Sequence, residues 1–227
     1  MSIYAIGDLH LPGGDDKPMD ILGPHWEGHF EKICQDWREQ VCEDDIVLIP
    51  GDISWAMQLE NALPDLQAIG ALPGIKILLR GNHDYWWSTV TRVRESLPEK
   101  MYALQNDAVK IGDLVFCGSR GWGSTESADD KKIYKREISR LQMSLECAGK
   151  LGGEIIVMCH YPPVDEKGNG TEVTDLIEKY PVSNVVYGHL HGRPRGKAFC
   201  GEIGGVRYDL TASDYLGFTP LLIAQDE

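Results

Sequence analysis

Short apolar runs that alternate with amphipathic segments constrain this chain more than any other feature. The runs are Ser2–Ile6, Asp45–Ile49, Ile75–Leu79, Leu114–Cys117, Glu154–Cys159 and Asn184–Tyr187. Their nearly continuous Val, Ile and Leu content predicts strands covered on both faces. Between them, apolar residues recur every three or four positions. Trp26, Phe30, Ile33, Trp37 and Val41 form one such series, and Leu59, Leu63, Leu66 and Ile69 a second. Trp86, Val90, Val93 and Leu97 form a third. The longest face is Tyr134, Ile138, Leu141, Leu145 and Ala148, within Asp130–Leu151. That spacing places each series on one side of a helix, where the aromatic members serve as core. A β-α-β-α-β order predicts an α/β (α+β layered) domain. The C-terminal part changes character, with short strands predicted at Lys197–Cys200, Val206–Leu210 and Leu221–Ala224, and a hairpin at Gly204-Gly205. Ser119–Asp130 and Asp165–Gly170 read as loops. No linker divides the chain, so residues 1–227 are expected to form a single domain.

Composition excludes several functions. Lys and Arg total 22 against 35 Asp and Glu, a formal charge of −13 that repels long nucleic acid. No apolar run approaches bilayer-spanning length, and the opening MSIYAIGDLH reads as a strand rather than a cleavable signal. The six cysteines include no CxxC pair, and several lie in apolar runs. Reduced, mostly buried thiols in a cytoplasmic protein are therefore expected. Nothing in the sequence sets an oligomeric state.

The residues with chemical potential sit just past the predicted strands. Asp8-Leu9-His10 follows the first, Gly51-Asp52 the second and Gly81-Asn82-His83-Asp84 the third. His160 follows the strand ending at Cys159, and Gly188-His189-Leu190-His191 the strand ending at Tyr187. Ligands of open α/β sheets bind beyond the carboxyl ends of strands, so these five motifs are placed to converge. Together they supply carboxylate, imidazole and amide oxygen, a set suited to Mn²⁺, Fe, Zn²⁺ or Co²⁺. Asp8 and His10 are two apart, which in extended backbone points both to one side. Asp52 has two oxygens and can bridge two ions about 3.5–4 Å apart. The adjacent glycines Gly7, Gly51, Gly81 and Gly188 permit sharp turns and close approach. His25 and His29 are four apart on a predicted helix but outside this set, and are read as ordinary surface or boundary histidines.

In that order, the motifs from Gly7 to His191 resemble those of the calcineurin-like metallophosphoesterases. The resemblance implies two packed mixed β-sheets flanked by helices, with the C-terminal strands in the second sheet. It implies that Asp8, His10 and His191 hold one metal, that Asn82, His160 and His189 hold another, and that Asp52 bridges them. His83 would contact the phosphate and protonate the leaving oxygen, and Asp84 would orient His83 through a hydrogen bond. Members that dephosphorylate protein Ser or Thr usually carry Glu at the Asp84 position. Two divalent ions with Asp8, Asp52 and a bridging hydroxide leave about one positive charge in the pocket, enough to attract a small phosphate ester.

The expected activity is hydrolysis of small phosphomonoesters or phosphodiesters by a metal-activated hydroxide. Trp55, Tyr85, Trp86, Trp87 and Trp122 offer an aromatic rim that would suit nucleotide-like substrates, unless they serve as core. Arg120, and also Arg193 and Arg195, are candidates for a non-reacting phosphate oxygen. The alternatives are a nuclease for short oligonucleotides and a non-catalytic interaction module on the same scaffold. The intact ligand set speaks against the second.

Overall fold

A computed structural model describes residues 1–14, 19, 23–123, 125–192, 196 and 198–225. Two sheets are packed face to face. The first contains β1 (Ser2–Ala5), β2 (Ile46–Ile49), β3 (Ile75–Leu79), β4 (Met101–Leu104) and β11 (Leu221–Gln225), in the order β11-β1-β2-β3-β4. The second contains β5 (Ala108–Ile111), β6 (Leu114–Ser119), β7 (Glu154–Cys159), β8 (Val182–Tyr187), β9 (Gly201–Ile203) and β10 (Val206–Leu210), in the order β5-β6-β7-β8-β10-β9. β1 to β4 are mutually parallel, as are β6, β7, β8 and β10. β11, β5 and β9 run antiparallel at the edges.

Period-2 alternation makes the layers. In β2, Ile46 and Leu48 face the second sheet and join Ile77, Phe116, Ile156 and Met158 in a core between the sheets. Val47 and Ile49 face the other way, into a core with Ile33 and Trp37 of α1 (His29–Gln40) and Leu66 and Ile69 of α2 (Leu59–Gly70). On the outside of the second sheet, Val115, Val157 and Val185 meet Leu141, Leu145 and Ala148 of α4 (Ala128–Leu151). The result is helix, sheet, sheet, helix, the expected α/β layered architecture. Each central strand is covered on both sides, which explains its unbroken apolar sequence.

Several boundaries differ from the sequence reading. α4 begins at Ala128 because Ser127 and Asp130 form a reciprocal capping box, so the predicted loop ends earlier than Asp130. β6 extends to Ser119. α3 is confined to Val90–Ser96 and capped by Thr89, while Trp86 and Trp87 precede it as core. Two four-residue strands, β4 and β5, and the short α5 (Glu172–Ile177) carry too little periodic signal to be predicted. The strand predicted at Lys197–Cys200 is corrected to Gly201–Ile203; Lys197 lies outside the described residues, and Ala198–Cys200 is coil. Gly204 and Gly205 form the predicted hairpin turn, at φ 60° and 81°. The C-terminal strands do not all join the second sheet. β9 and β10 do, but β11 pairs with β1, because the chain from Thr211 crosses the ends of both sheets. On the way, Gly7 N–H donates to Thr211 O (2.7 Å), and Ser213 Oγ donates to Asp8 O (2.8 Å).

The six thiols are unpaired. Cys117 and Cys159 are buried, and burial pushes Cys159 up to about 12. Cys34 and Cys147 are half-buried, whereas Cys42 and Cys200 are exposed, so fewer thiols are core residues than expected. No helix among the described residues is long and apolar enough to cross a membrane.

Candidate metal centre

The carboxyl ends of β1, β2 and β3 in one sheet meet those of β7 and β8 in the other. All seven candidate ligands project from the turns there. Asp8, His10, Asp52 and His160 are at most 1 % exposed. Asp8, His10 and His191 offer ligand atoms within 4.8 Å of one another, and so do Asp8, Asp52 and His160. Asn82 Oδ1 lies 2.6 Å from His160 Nε2 and 2.9 Å from His189 Nδ1. Asp52 Oδ2 lies between the two groups, 3.9 Å from His10 Nε2 and 3.5 Å from His160 Nε2.

The backbone that achieves this is not extended. Asp8, His10, Asp52 and His189 have φ of 53°, 46°, 52° and 73°. Asp8 and His10 therefore face one side through left-handed conformations rather than strand periodicity, which corrects the sequence argument. Such residues cost on the order of 1–3 kcal/mol each and persist where the surroundings over-determine them. Here the surroundings are backbone hydrogen bonds from Asp8 N–H to Gly51 O (2.9 Å) and from His10 N–H to Asp52 O (3.0 Å). Two glycines make room. A Cβ at Gly81 would collide with the Asp52 carboxylate and backbone nitrogen, and one at Gly188 would lie 2.5 Å from Asp8 Oδ2.

The polar atoms left over test whether a cation fits. His160 Nδ1 donates to Pro50 O at 3.0 Å, since a carbonyl can only accept. In the neutral ring Nε2 then carries a lone pair, and it faces oxygens of Asn82 and Asp52. Burial pushes His160 and His189 down to about 3, and lowers His10 and His191 as well, so all four rings are held toward the neutral form, the form able to coordinate a cation. Burial also raises Asp8 well above the usual carboxylate range, with the Asp52 charge adding to it, and pushes Asp52 up to about 6. His10 Nδ1 and Nε2 and Asp52 Oδ2 are buried with no hydrogen-bond partner among the described residues. Each such atom costs about 1–3 kcal/mol unless something binds it. Lone pairs converging from neutral imidazoles, carboxylates and an amide are what a hard-to-borderline cation requires.

A scan against family models matches residues 1–193 to the calcineurin-like phosphoesterases. The chain belongs to that family. The family depends on two metal ions, and the Asp and His groups of this member could bind them. Gene 66 protein of Mycobacterium phage D29 is 26 % identical over 196 residues, covering 85 % of this chain and 79 % of the phage protein. Phosphopantetheinyl hydrolase of Mycobacterium tuberculosis has the same fold, with a TM-score of 0.61, 12 % identity and coverage of 99 % of this chain and 96 % of that one. GAP50, the anchor in the inner membrane complex of Plasmodium, is similar at a TM-score of 0.55 and 15 % identity, covering 94 % and 71 %.

Among the other residues singled out, His83 reaches the centre. Its ring lies 5.8 Å from that of His10, its backbone N–H donates to Asp52 Oδ1 (2.8 Å), and its Nδ1 has no partner among the described residues. Asp84 does not hydrogen-bond to His83. Its Oδ1 accepts from Ile53 N–H (2.8 Å), Ser54 N–H (3.2 Å) and Trp86 Nε1–H (3.0 Å), and its Oδ2 from Gly81 N–H (2.7 Å). Asp84 thus ties together the loops carrying Asp52 and Asn82. Trp55 stacks on His10 (centroids 4.9 Å apart, planes 19° apart) and leans on His83 (4.5 Å). It buttresses both imidazoles. Tyr85 is exposed, 6.2 Å from the His83 ring. Arg120 gives its carbonyl to His160 N–H (3.2 Å) while its guanidinium lies over Trp122 (5.3 Å) and 3.8 Å from Glu137. Arg193 and Arg195 lie outside the described residues. His25 is exposed; His29 is buried, its ring nitrogens against Leu9 O and Trp26 O, so it packs rather than ligates.

Tyr161 escaped sequence reasoning, though its position directly after His160 was a usable signal. Its ring lies 4.1 Å from that of His189 and 5.5 Å from that of Trp122. It forms one wall of a cleft of about 810 Å³ that opens beside His189 and is lined also by Trp122, Tyr134, Pro162, Leu190 and Phe199.

Proposed function

We propose that the chain is a dimetal phosphohydrolase acting on small phosphomonoesters or phosphodiesters whose organic part is aromatic or nucleobase-like. The observation that carries the reading is the unpaired Asp52 Oδ2 between His10 Nε2 and His160 Nε2, with Asn82 Oδ1 set against His160 and His189. That arrangement suits one cation held by Asp8, His10 and His191, a second held by Asn82, His160 and His189, and a carboxylate shared between them. Two divalent ions supply Lewis acidity toward phosphoryl oxygens and lower the pKa of water toward neutrality.

The chain's own residues do the rest. His83, braced by Trp55, is the one imidazole of the cluster without a ligand role, which leaves it to hold a proton for the leaving oxygen. Asp84 keeps the Gly81-Asn82-His83 turn in register with Asp52. The cleft beside His189 accepts the organic group against Trp122 and Tyr161. Asp165 and Glu166 on its lining disfavour further negative charge there.

The test is hydrolysis of a mono-aryl and a bis-aryl phosphate by metal-stripped protein reloaded with Mn²⁺, beside Asn82→Ala and His83→Ala. Activity is expected in the wild type, with loss in both variants and full metal content retained in His83→Ala. Two metals per chain with no hydrolysis of either ester would overturn the enzymatic reading.

A further inference from the structure

A second polar pocket lies where the ends of β3, β4 and β6 meet α4. Its volume is about 190 Å³, and its wall includes Arg80, Arg120, Arg136, Arg140 and Glu137. Four arginines around one carboxylate are conspicuous in a chain of formal charge −13. Glu137 is 3 % exposed and already committed: its Oε1 accepts from Arg140 Nη1 at 2.5 Å and lies 3.8 Å from Arg120 Nη2, and its Oε2 accepts from Ser119 Oγ at 2.9 Å. The side chains of Arg80 and Arg136 make neither a hydrogen bond nor an ion pair within 4 Å among the described residues. The Nε atoms of Arg80 and Arg120 are buried with no acceptor. Asp107, two residues past Gln105 of the same wall, is paired with Arg94 at 2.5 Å.

The buried Nε–H groups of Arg80 and Arg120, left without acceptors, are costly, and Arg136 and Arg140, one helical turn apart, repel each other. Among the residues that line the pocket, Glu137 is the one carboxylate set against these four guanidinium charges. A net excess of three positive charges exceeds what one carboxylate would neutralise, and the planar donor fork of arginine matches phosphoryl oxygens. The space is many times the roughly 10–15 Å³ that one water needs. We infer that this pocket is an anion site for a phosphate or diphosphate group, separate from the metal centre and independent of the hydrolase reading. It adjoins the centre through Arg120, whose carbonyl accepts from His160 N–H.

Titration calorimetry of the full chain with pyrophosphate tests this. The protein is stripped of metal and held at mildly alkaline pH, so that the metal centre offers phosphate neither cations nor imidazolium. Saturable binding at one site is expected, weaker for inorganic phosphate and weakened by added salt. Arg136→Gln, an exposed position whose loss leaves folding intact, should weaken binding about tenfold or more, as expected for one charge-assisted contact. Arg80→Gln combined with Arg136→Gln should abolish it, while Lys110→Gln on β5 should leave it unchanged. Absence of saturable binding at millimolar pyrophosphate would overturn the assignment, as would equal affinity in wild type and Arg136→Gln.

Discussion

Asp84 is the residue for which family resemblance and geometry make different predictions, and Asp84→Asn separates them. The carboxylate accepts four hydrogen bonds, three on Oδ1 and one on Oδ2, and is 0 % exposed. An asparagine can keep its oxygen toward Ile53, Ser54 and Trp86, but its NH₂ then faces the Gly81 N–H at the 2.7 Å contact. One charge-assisted bond, about 1.5–3 kcal/mol, is lost, and a buried donor is left without an acceptor. A net cost of about 3 kcal/mol follows, which lowers Tm by roughly 6–12 °C for a chain of this length. Because the strain falls on the Gly81-Asn82 turn, metal affinity should fall too. At saturating Mn²⁺ and below the melting range, kcat should stay within about tenfold of wild type, since the amide removes no contact to His83. The assays are thermal unfolding followed by circular dichroism, metal titration and steady-state hydrolysis of an aryl phosphate. A variant with wild-type Tm and metal affinity but a hundredfold lower kcat would refute this, and would mean that Asp84 acts through His83.

Three further outcomes are expected. Lys76 is buried in β3, with its ammonium donating to the carbonyls of Gly70 and Leu72, and burial pushes its pKa down to about 8. Its folded-state pKa lies below the unfolded value of about 10.4, so the destabilisation is complete below pH 8 and is lifted as pH rises toward 10.4. Urea denaturation should show wild-type stability gaining up to about 3 kcal/mol over that window relative to Lys76→Met; parallel curves for the two proteins would exclude it. Gly81→Ala drives a methyl into Asp52 and should reduce metal content below two ions per chain by elemental analysis, an expectation that full occupancy would defeat. Trp122→Ala should raise KM for a bis-aryl phosphate about three- to tenfold with kcat little changed, the equivalent of one lost aromatic contact. An unchanged KM would remove Trp122 from the substrate cleft.

Much of the site was legible because strand ends announce themselves. A run such as Ile75–Leu79 followed by Gly81-Asn82-His83-Asp84 places polar groups where a buried strand stops, and no packing role accounts for them. The roles inside those motifs were less legible. The family resemblance implies that Asp84 partners its neighbour His83, yet its oxygens accept from backbone N–H groups of the Ile53-Ser54 and Gly81 turns, contacts that only the folded loops create. Trp55 looked like a substrate platform and instead packs on His10 and His83. Tyr161 walls the cleft, and only its place directly after His160 marks it in the sequence.

By itself the sequence determined the layers and the ligand inventory, because apolar periodicity and residue chemistry are local properties. β2 needs apolar side chains on both faces whatever it packs against, and imidazole, carboxylate and amide remain a metal-binding set in any arrangement. Only the tertiary structure decided the arrangement. The left-handed turns at Asp8, His10, Asp52 and His189 are not written in residue preference, since each is strained in isolation and is held by a neighbouring strand end. The partner of β11 and the gathering of Arg80, Arg120, Arg136 and Arg140 around one pocket likewise depend on contacts between distant segments. Such contacts arise when two sheets close on a common core, and no local pattern encodes them.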